Sequence, residues 1–574
     1  MLIKNSFMKK LILKLVFISF SLISVNGFAQ PGTLDNTFGT SGKVITDIAT
    51  GFDIGSSVAV QSDGKIVVAG NGFTGAGNSF SLVRYNVNGT LDNTFGTAGI
   101  VTTSAGSGSS GGKSLAIQSD GKIVVAGNSS NGTDIDFTII RYTTNGTPDP
   151  TFGTAGIAIT PIGASNDGCL YVAFQTDGKI LVSGYNDNGG TNEFALARYT
   201  TSGILDVSFG TGGIVTTNIG TLDDIGYSVA VQTDGKIVVG GYTLTGGDYD
   251  FALVRYTSSG ILDNTFGTNG IIITQVGTNN DRAYSLAIQP DGKIILAGDS
   301  YNGTDGDFAL VRFNTNGTLD NTFGTSGKVI TPIGAATEII YSVKIQNDGK
   351  VLAAGYSSNG LDYDFALVRY NSNGTLDNTF GTSGKVTTPI GFSDEIGYSM
   401  AVRSNGKIVV AGYSNNGTNW DFALAQYAGC SPVTFSQTLV NSIGDSVLVG
   451  IHVYKLDGTY KDTLVATSGC DSIVTSVLTF VGGIGDAGTV YIPASISPNP
   501  STGIFMLEIP ASLHDVKYEI FNILGEQILQ YDFGSGADRI ISKVIDISAQ
   551  NQGMFFLNVK SQEGSVIKKI VKMQ

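Results

Sequence analysis

Acidic side chains are the residues of this chain whose types and spacing point most directly to chemistry. Four pairs of aspartates, each pair separated by one residue, lie in Gly- and Asn-rich sequence. Carboxylates in such loops are ligands that Ca²⁺ accepts. The pairs that we expect to bind calcium are Asp134 with Asp136, Asp248 with Asp250, Asp305 with Asp307, and Asp362 with Asp364. A second interpretation stays open, because Asp and Asn also close turns by hydrogen bonding to their own backbone.

A second acidic set recurs at one constant position, and three aromatic residues each stand directly before an aspartate. Concave mouths lined by carboxylates attract cations and cationic groups. The candidate ligand-binding residues are Asp53, Asp167, Asp224, Asp281, Glu338, Glu395, Tyr249, Tyr363 and Trp420. The pattern predicts a binding face without naming its ligand.

Composition argues against several classes of chemistry. The chain has 574 residues with Lys+Arg 33 against Asp+Glu 47, and the resulting net charge of -14 argues against a nucleic-acid-binding protein. Its two histidines, His452 and His514, are far apart in the sequence, which excludes a His-rich metal centre and argues against a Ser-His-Asp triad. Cys169 has no histidine in its region, so we expect a buried, unreactive thiol. No catalytic residue is predicted.

The elements that must position these residues follow from an internal repeat. Phe-Gly recurs at a constant step of 57 residues, at Phe38, Phe95, Phe152, Phe209, Phe266, Phe323 and Phe380. Alternating apolar residues predict four β-strands in each repeat, and no stretch of the repeat has helical periodicity. Asp-Gly, as at Asp234 and Gly235, predicts a two-residue type I′ turn between the first and second strands.

The offset of the repeats predicts a closed ring. The sequence begins with the fourth strand of a repeat and leaves the pattern after the third strand of the seventh repeat, at Tyr427. A closing N-terminal strand leaves no open sheet edge. An open solenoid, the alternative, gives no reason for this offset and would carry atypical capping repeats. We therefore predict an all-β fold in which residues 30–427 form a seven-bladed β-propeller.

An arginine near the end of the third strand and an aspartate eight residues later recur in six repeats, and we expect them to pair across the turn. The predicted structural pairs include Arg84 with Asp92, Arg255 with Asp263, and Arg369 with Asp377. Gln426 takes the arginine position in the seventh repeat, and its expected partner across the closed ring is Asp35. A ring of ligand-binding arginines is the alternative, but pairs in every blade do not mark a single active site.

The motifs of the repeat resemble those of a known family. Leu-Asp-x-x-Phe-Gly, Asp-Gly-Lys and Val-Arg-Tyr are similar to the motifs of proteins with delta-60 repeats and, more loosely, of NHL-type propeller blades. The resemblance covers all seven repeats, with small departures such as Pro148-Asp149. It implies a propeller and a surface context, and it implies no reaction.

Both ends of the sequence carry features of exported proteins. Residues 1–29 have basic residues, an apolar run and small residues before Gln30, as in a secretory signal peptide. The apolar run is too short for a good membrane span, and no other apolar stretch approaches the length that a span needs. Residues 492–574, with Pro498-Asn499-Pro500 and a basic end, resemble the type A C-terminal sorting domain of type IX secretion in Bacteroidota. That resemblance implies a β-sandwich, contact with the secretion machinery, and a secreted or outer-membrane surface location.

A small module separates the propeller from the sorting domain. Residues 428–482 alternate strongly and resemble the small Ig-like β modules that precede sorting domains, and residues 483–491 have the composition of a linker. Cys430 and Cys470 flank the module, and an oxidising compartment predicts a disulfide between them. Modules of this kind carry a first cysteine near Val440, which this sequence lacks, so the pairing stays open.

These features together predict an exported, non-enzymatic β-propeller used for binding or adhesion, with a polysaccharide or a surface protein as its ligand. Calcium is the one cofactor that the sequence suggests. The alternative function is a secreted carbohydrate-active lyase or hydrolase with carboxylates at the channel mouth. The acidic positions recur with the blades, whereas catalysis needs two carboxylates in different environments, and this favours binding.

Overall fold

The computed structural model describes residues 30–49, 51–75, 77–429, 434–442, 447–449, 452–454, 458–465, 471–481, 494–499, 501–509, 513–522, 526–533, 541–562 and 564–572. The predicted signal peptide, the predicted linker and the predicted Cys430–Cys470 disulfide lie outside these residues. Every named element in the described ranges is a β-strand. None of these ranges contains a helix long and apolar enough to cross a membrane.

The first 28 strands belong to the repeats. Strand β1 (Lys43–Thr46) closes the ring as part of blade 7. Blades 1 to 4 use β2 (Ile54–Val60), β3 (Ile66–Phe73), β4 (Asn78–Tyr85), β5 (Ile100–Thr103), β6 (Ser110–Ile117), β7 (Ile123–Ser130), β8 (Ile135–Tyr142), β9 (Ile157–Thr160), β10 (Asp167–Phe174), β11 (Ile180–Asp187), β12 (Asn192–Tyr199), β13 (Ile214–Thr217), β14 (Asp224–Val231), β15 (Ile237–Thr245), β16 (Asp248–Tyr256) and β17 (Ile271–Thr274). Blades 5 to 7 use β18 (Asp281–Ile288), β19 (Ile294–Tyr301), β20 (Gly306–Phe313), β21 (Lys328–Thr331), β22 (Glu338–Ile345), β23 (Val351–Ser358), β24 (Tyr363–Tyr370), β25 (Lys385–Thr388), β26 (Glu395–Val402), β27 (Ile408–Asn415) and β28 (Trp420–Tyr427).

Seven four-stranded antiparallel sheets confirm the predicted propeller. Six sheets follow chain order, as in β14-β15-β16-β17, and the seventh has the order β1-β28-β27-β26. Lys43 lies opposite Ala425 and Thr46 opposite Phe422, so the N-terminal strand completes the last blade as predicted. The first strand of each blade contacts the first strands of both neighbouring blades, and these seven strands surround a central channel.

The core lies between adjacent blades. Second and third strands are buried almost continuously, as in β15 and β16, because each sheet packs against a neighbour on both faces. One apolar cluster, for example, joins Phe251 and Leu253 of blade 4 to Leu296 and Val311 of blade 5. Buried apolar area of this kind is the main stabilising term of a repeat array.

Two glycines of the repeat are required by backbone geometry. In the Phe-Gly motif, Gly96 has a φ of 52°, and an added Cβ would lie 2.3 Å from the carbonyl oxygen of Ile100. In the Asp-Gly hairpin, Gly64 has a φ of 84°. Gly64 N donates to Gln61 O at 2.9 Å, and Gln61 N donates to Lys65 O at 2.8 Å.

The hairpin loop therefore differs from the prediction. A type I′ turn needs a positive φ at both central residues. Here Gly64 has a positive φ and Asp63 does not. The connection is a three-residue loop, a type I turn followed by a left-handed glycine, and the predicted two-residue type I′ turn is wrong. The carboxylate of Asp63 accepts a hydrogen bond from Lys65 N at 3.0 Å, which stabilises this conformation.

The chain divides into two compact units: the first runs to Thr434 and includes Thr463–Ile473, and the second comprises Phe435–Asp462 and continues from Val474. The strands after the propeller are β29 (Thr434–Ser442), β30 (Val447–Val449), β31 (His452–Tyr454), β32 (Gly458–Val465), β33 (Asp471–Val481), β34 (Ser495–Ser497), β35 (Ile504–Ile509), β36 (Lys517–Asn522), β37 (Gln527–Asp532), β38 (Ile541–Asp546), β39 (Gly553–Lys560) and β40 (Ser565–Lys572). The last seven form two sheets, β34-β35-β38 and β37-β36-β39-β40, that share one apolar core.

Candidate ligand-binding face and central channel

All of the predicted ligand and calcium residues lie at one end of the propeller, which we name the loop face. It carries the loops before the first strands and the loops from second to third strands. These loops share an end because the strands are antiparallel: Asp224 at the start of β14 lies opposite Thr243, and Asp248 at the start of β16 lies opposite Thr245.

The six predicted ligand carboxylates are buried beneath this face. Their exposed fractions are 1 % or less at Asp53, Asp167, Asp224, Asp281, Glu338 and Glu395. The oxygens accept backbone hydrogen bonds from the preceding loop, as from Ile219 N to Asp224 at 2.7 Å and from Gly334 N to Glu338 at 2.8 Å. Burial raises the pKa of Asp224, and these hydrogen bonds oppose the rise. The geometry favours a role in shaping loops over the predicted contact with a ligand.

Three of the four predicted calcium pairs are bridged by a side-chain amide. Asn302 Nδ2 donates to Asp305 at 2.5 Å and to Asp307 at 3.0 Å. Asn131 bridges Asp134 and Asp136 in this way, and Asn359 bridges Asp362 and Asp364. At the Asp248–Asp250 pair, Thr245 Oγ1 donates to Asp250 at 2.7 Å. Because an amide joins the carboxylates of three pairs and a hydroxyl occupies Asp250 of the fourth, the geometry favours a turn motif over calcium ligation.

The seventh blade supports this interpretation. Asn416 Nδ2 donates to Asp421 at 2.8 Å and also to Asn419, which stands where other blades have the first aspartate. The motif therefore forms without a pair of carboxylates.

One acidic group on the loop face was not predicted. Asp47, Asp53 and Asp421 offer oxygens within 4.8 Å of one another, at the junction between the closing strand and the first and last blades. Within the described ranges, no other group of three such side chains comes together in this way.

The three predicted aromatic residues are the outer members of three aromatic rows. The rows run from the central channel outward and are Tyr227, Tyr242 and Tyr249 in blade 4, Tyr341, Tyr356 and Tyr363 in blade 6, and Tyr398, Tyr413 and Trp420 in blade 7. Ring centroids within the blade 4 row are 5.6 and 5.1 Å apart. Trp420 stacks on Tyr413 at 4.7 Å and also contacts Phe52 at 5.0 Å.

The inner ends of the rows belong to a ring around the channel. One position in each first strand lies at a β-bulge, where the register with the second strand shifts. The seven bulge residues line a cavity of about 340 Å³, and they are Ser56, Lys113, Leu170, Tyr227, Tyr284, Tyr341 and Tyr398. The four tyrosines contact one another in sequence, with centroids 4.9 to 5.1 Å apart.

The charge of the cavity does not follow the seven-fold repeat, because only two blades contribute a charged side chain and both of these are lysines. Lys113 and Lys344 both line it, and none of its lining residues is acidic. Lys113 is solvent-accessible within the channel, yet the surrounding protein lowers the pKa of its ammonium. Beside the channel, Arg282 lies 4.6 Å from the ring of Tyr249 and directly opposite Asp299 in the sheet. The sequence pattern predicts carboxylates at this mouth, whereas the side chains that line the cavity are basic, aromatic, aliphatic or small.

The pattern shared by the repeats does not predict these cavity residues, because they differ from blade to blade. The signal in the sequence was the opposite one: a first-strand position that is Ser, Lys, Leu and then four times Tyr, inside a repeat of constant length. The sequence pattern does not indicate that a β-bulge turns this position toward the channel.

The repeated Arg–Asp pairs lie at the other end of the blades. Arg255 Nε donates to Asp263 at 2.8 Å, with matching contacts from Arg84 to Asp92 at 2.7 Å and from Arg369 to Asp377 at 2.8 Å. Burial acts to raise the pKa of Asp263, but hydrogen bonds from Thr265 and Lys236 and the charge of Arg255 hold it below its usual value.

Each of these arginines also ties two blades together. Arg255 Nη1 donates to the carbonyl of Thr315 in the next blade at 2.5 Å, and its guanidinium lies 4.2 Å from the ring of Phe266, the Phe of the Phe-Gly motif. This geometry supports a structural role for the pairs.

We name the third-strand arginine, its aspartate and the glutamine that follows the first strand the latch of a blade. In the seventh blade, the arginine and the glutamine of the latch exchange places. Six blades have a glutamine at the end of the first strand, and Arg403 takes that place in the seventh. Arg403 Nη1 donates to Gln426 Oε1 at 2.6 Å and to Val87 O at 2.9 Å, and Gln426 Nε2 donates to Asp35 at 2.7 Å. The predicted partners Gln426 and Asp35 are therefore in contact, while the compensating Arg403 was not predicted.

Cys169 is a free, buried cysteine in the first strand of blade 3. Burial raises the pKa of its thiol, and the charge of Lys113 opposes this only in part. A buried thiol with a raised pKa is a poor nucleophile.

Comparison with known families agrees with this architecture. Residues 61–95, 118–152, 175–209, 232–266, 289–323, 346–380 and 403–428 match a β-propeller domain of unknown function, DUF5122. Residues 495–573 match a secretion system C-terminal sorting domain. The repeat and sorting-domain resemblances predicted from the sequence are thus confirmed. No curated protein matches the chain.

Solved structures show likeness of fold alone. A catalytically inactive virginiamycin B lyase from Staphylococcus aureus is 13% identical and covers 67% of this chain and 98% of its own, with a TM-score of 0.40. The polysaccharide lyase Uly1 is 12% identical, with coverages of 66% and 90% and a TM-score of 0.38. PorZ, a surface component of the type-IX secretion system of Porphyromonas gingivalis, is 11% identical, with coverages of 94% and 87% and a TM-score of 0.21.

Proposed function

We propose that this chain, a propeller of seven DUF5122 repeats with a C-terminal sorting domain for type IX secretion, binds a polysaccharide through the loop face of blades 4 to 7. The sorting domain directs export to the cell surface or the medium and implies contact with the secretion machinery. The binding role is the proposal.

The observation that carries the proposal is the one-sided distribution of the aromatic rows. Tyr249, Tyr363 and Trp420 are half-buried, so part of each ring faces solvent. Flat apolar faces of this kind pack on the C–H faces of sugar rings, and tyrosine hydroxyls add hydrogen bonds. Blades 1 and 2 have Asn71 and Asn128 where the rows have their middle tyrosine. A feature confined to part of the ring marks a site, because the scaffold itself is the same in every blade.

The alternative of a lyase or hydrolase has less support. The carboxylates predicted at the channel mouth are buried in loops, where backbone N–H groups occupy their oxygens. The residues that line the channel cavity include no acid. Acid–base cleavage of a glycosidic bond by paired carboxylates needs two that reach the substrate.

Affinity electrophoresis of the full chain through gels that contain neutral or acidic polysaccharides tests the proposal. We expect retardation by at least one polysaccharide, and a loss of affinity of about tenfold or more when Tyr249, Tyr363 and Trp420 are all changed to Ala. The matched control changes Ile204, Val207 and Ile261 to Ala, since these exposed apolar residues lie at the opposite end of the propeller. Equal retardation of both triple variants, or none of the parent chain, would contradict the proposal.

A further inference from the structure

Two lysines in the channel cavity depart from an otherwise constant repeat. Lys113 takes the bulge position of blade 2, where the other blades have Ser, Leu or Tyr. Lys344 takes a position deeper along the first strand of blade 6, where each of the other six blades has Ala. Two ammonium groups therefore line one cavity in a set of repeats that otherwise differ little.

Neither lysine has a partner of opposite charge. Each lysine of the Asp-Gly-Lys or Asn-Gly-Lys hairpins pairs with an aspartate at 2.7 to 3.1 Å, as Lys236 does with Asp263. No ion pair or hydrogen bond joins the ammonium of Lys113 or Lys344 to another side chain in the part of the chain that the structure describes. The protein around Lys113 desolvates its ammonium enough to lower its pKa, and a bound anion would offset that cost.

The remaining polar groups of the cavity narrow the choice of ligand. Five of its six serines accept a backbone N–H from a neighbouring blade, as Ser399 Oγ accepts from Val58 N at 3.1 Å and Ser285 Oγ accepts from Val343 N at 3.1 Å. The other polar groups that line the cavity are the two lysines, Ser56 and a row of tyrosines. A volume of about 340 Å³ is at the small end of ligand sites, which suits one sugar unit and not a chain.

We propose that the channel cavity is an anion site that binds a charged sugar unit, one bearing a carboxylate, sulfate or phosphate, between Lys113 and Lys344 and the channel tyrosines. This inference rests on the proposed polysaccharide binding and adds its chemistry: the ligand is an acidic polysaccharide whose charged unit enters the channel while the aromatic rows hold neighbouring units. Basic groups in a concave site concentrate anions, and lysine binds them as a point charge.

Calorimetric titration of the full chain with single sugars tests the inference. The probes are glucose, glucuronate, glucose 6-sulfate and glucose 6-phosphate, so that the three anionic groups are separated from one another and from the neutral ring. We expect at least one charged sugar to bind at least tenfold more tightly than glucose, with an affinity that falls as salt is raised.

Variants drawn from the repeat itself serve as matched tests. Lys113→Ser and Lys344→Ala introduce residues that other blades carry at these positions, and each is expected to lower the affinity for the charged sugar about tenfold. Lys385→Ile removes a lysine outside the channel, at a position where four other blades have Ile, and should leave that affinity unchanged.

The outcomes separate this inference from the proposed function. If no charged sugar binds better than glucose, or if the two channel variants bind like the parent chain, the anion site is wrong. Retardation by polysaccharides that depends on the aromatic rows would then still stand. If retardation is absent as well, both proposals fail.

Discussion

Single residues that break a regular repeat carry most of the functional information in this molecule. Arg255 and Asp263 recur in equivalent form in six blades and hold them together. Lys113, Lys344, Arg282 and Asp299, in contrast, each occur once at their position and cluster in or beside the channel. At the residue scale, constancy therefore marks the scaffold, and departure from it marks the candidate site.

Asp299 should make the stability of the propeller depend on pH. Burial raises its pKa to about 7, although the nearby charge of Arg282 opposes the rise. In the unfolded chain the pKa is about 3.9, so folding favours the protonated form. The stability that Asp299 contributes is complete below about pH 4 and is lost as the pH rises through 7. Asp299→Asn, the residue that blades 1 and 2 carry here, should therefore raise the melting temperature by an amount that grows from pH 4 to pH 7 and then levels off.

Thermal melts at several pH values measure this difference. Asp234→Asn removes a charge from an exposed hairpin turn and corrects for the change in net charge. A difference between Asp299→Asn and the parent chain that stays constant with pH would contradict the assignment.

At the scale of elements, the turn between third and fourth strands is held by a latch that the chain builds in two ways. In six blades an arginine follows a third-strand Val, Ile or Ala, and a glutamine follows the end of the first strand. The seventh blade exchanges the arginine and the glutamine. Both versions bond the carbonyl of an adjacent blade, through Arg255 Nη1 to Thr315 O and through Arg403 Nη1 to Val87 O. The latch thus depends on having one guanidinium in the group, and less on which strand supplies it.

This exchange can be tested in blade 4. Arg255→Gln alone leaves the buried Asp263 without its guanidinium and should lower the free energy of unfolding by about 3 kcal/mol. Adding Gln232→Arg rebuilds the arrangement of the seventh blade and should restore part of that loss. Urea denaturation of the single and double variants measures the coupling. Lys236→Ala, which removes only the half-exposed partner of Asp263, should cost about 1 kcal/mol or less; a double variant no more stable than Arg255→Gln would contradict the exchange.

The amide-bridged turns of the loop face lead to a prediction about calcium. Asp305→Asn in blade 5 reproduces the sequence of blade 7, where Asn419 holds the same place. We therefore expect a change in melting temperature within about 2 °C. The variant should also respond to excess EDTA and to millimolar Ca²⁺ as the parent chain does. A calcium-dependent rise in melting temperature that disappears in Asp305→Asn would restore the calcium interpretation of these pairs.

At the scale of the whole molecule, the sequence was enough to predict the ring and was insufficient to predict its site. A constant period, four alternating segments per repeat and the offset of the first strand specify seven blades and their closure, because each is a property of spacing. The site depends on which way single side chains point. The bulge at Tyr227 and its equivalents, the amide bridge at Asp305 and the burial of Asp224 arise from contacts between residues that spacing does not describe. The sequence therefore predicts ligand contacts for the acidic loops, and it identifies only the outer residue of each aromatic row.

Closure of the ring by β1 makes one strand more important than its six equivalents. Val44 of β1 lies opposite Leu424, and Val329 of β21 lies opposite Leu310 in the same register. A proline at either position disrupts the same pairing. Strand β21 follows the third strand of its own blade through a short turn, whereas β1 is separated from β28 by most of the propeller sequence and joins the last blade only through noncovalent contacts. Val44→Pro should consequently lower the melting temperature more than Val329→Pro, and hydrogen exchange should accelerate along β28, whose edge β1 covers. Equal destabilisation by the two prolines would show that contacts between neighbouring first strands, and not the closing strand, keep the ring shut.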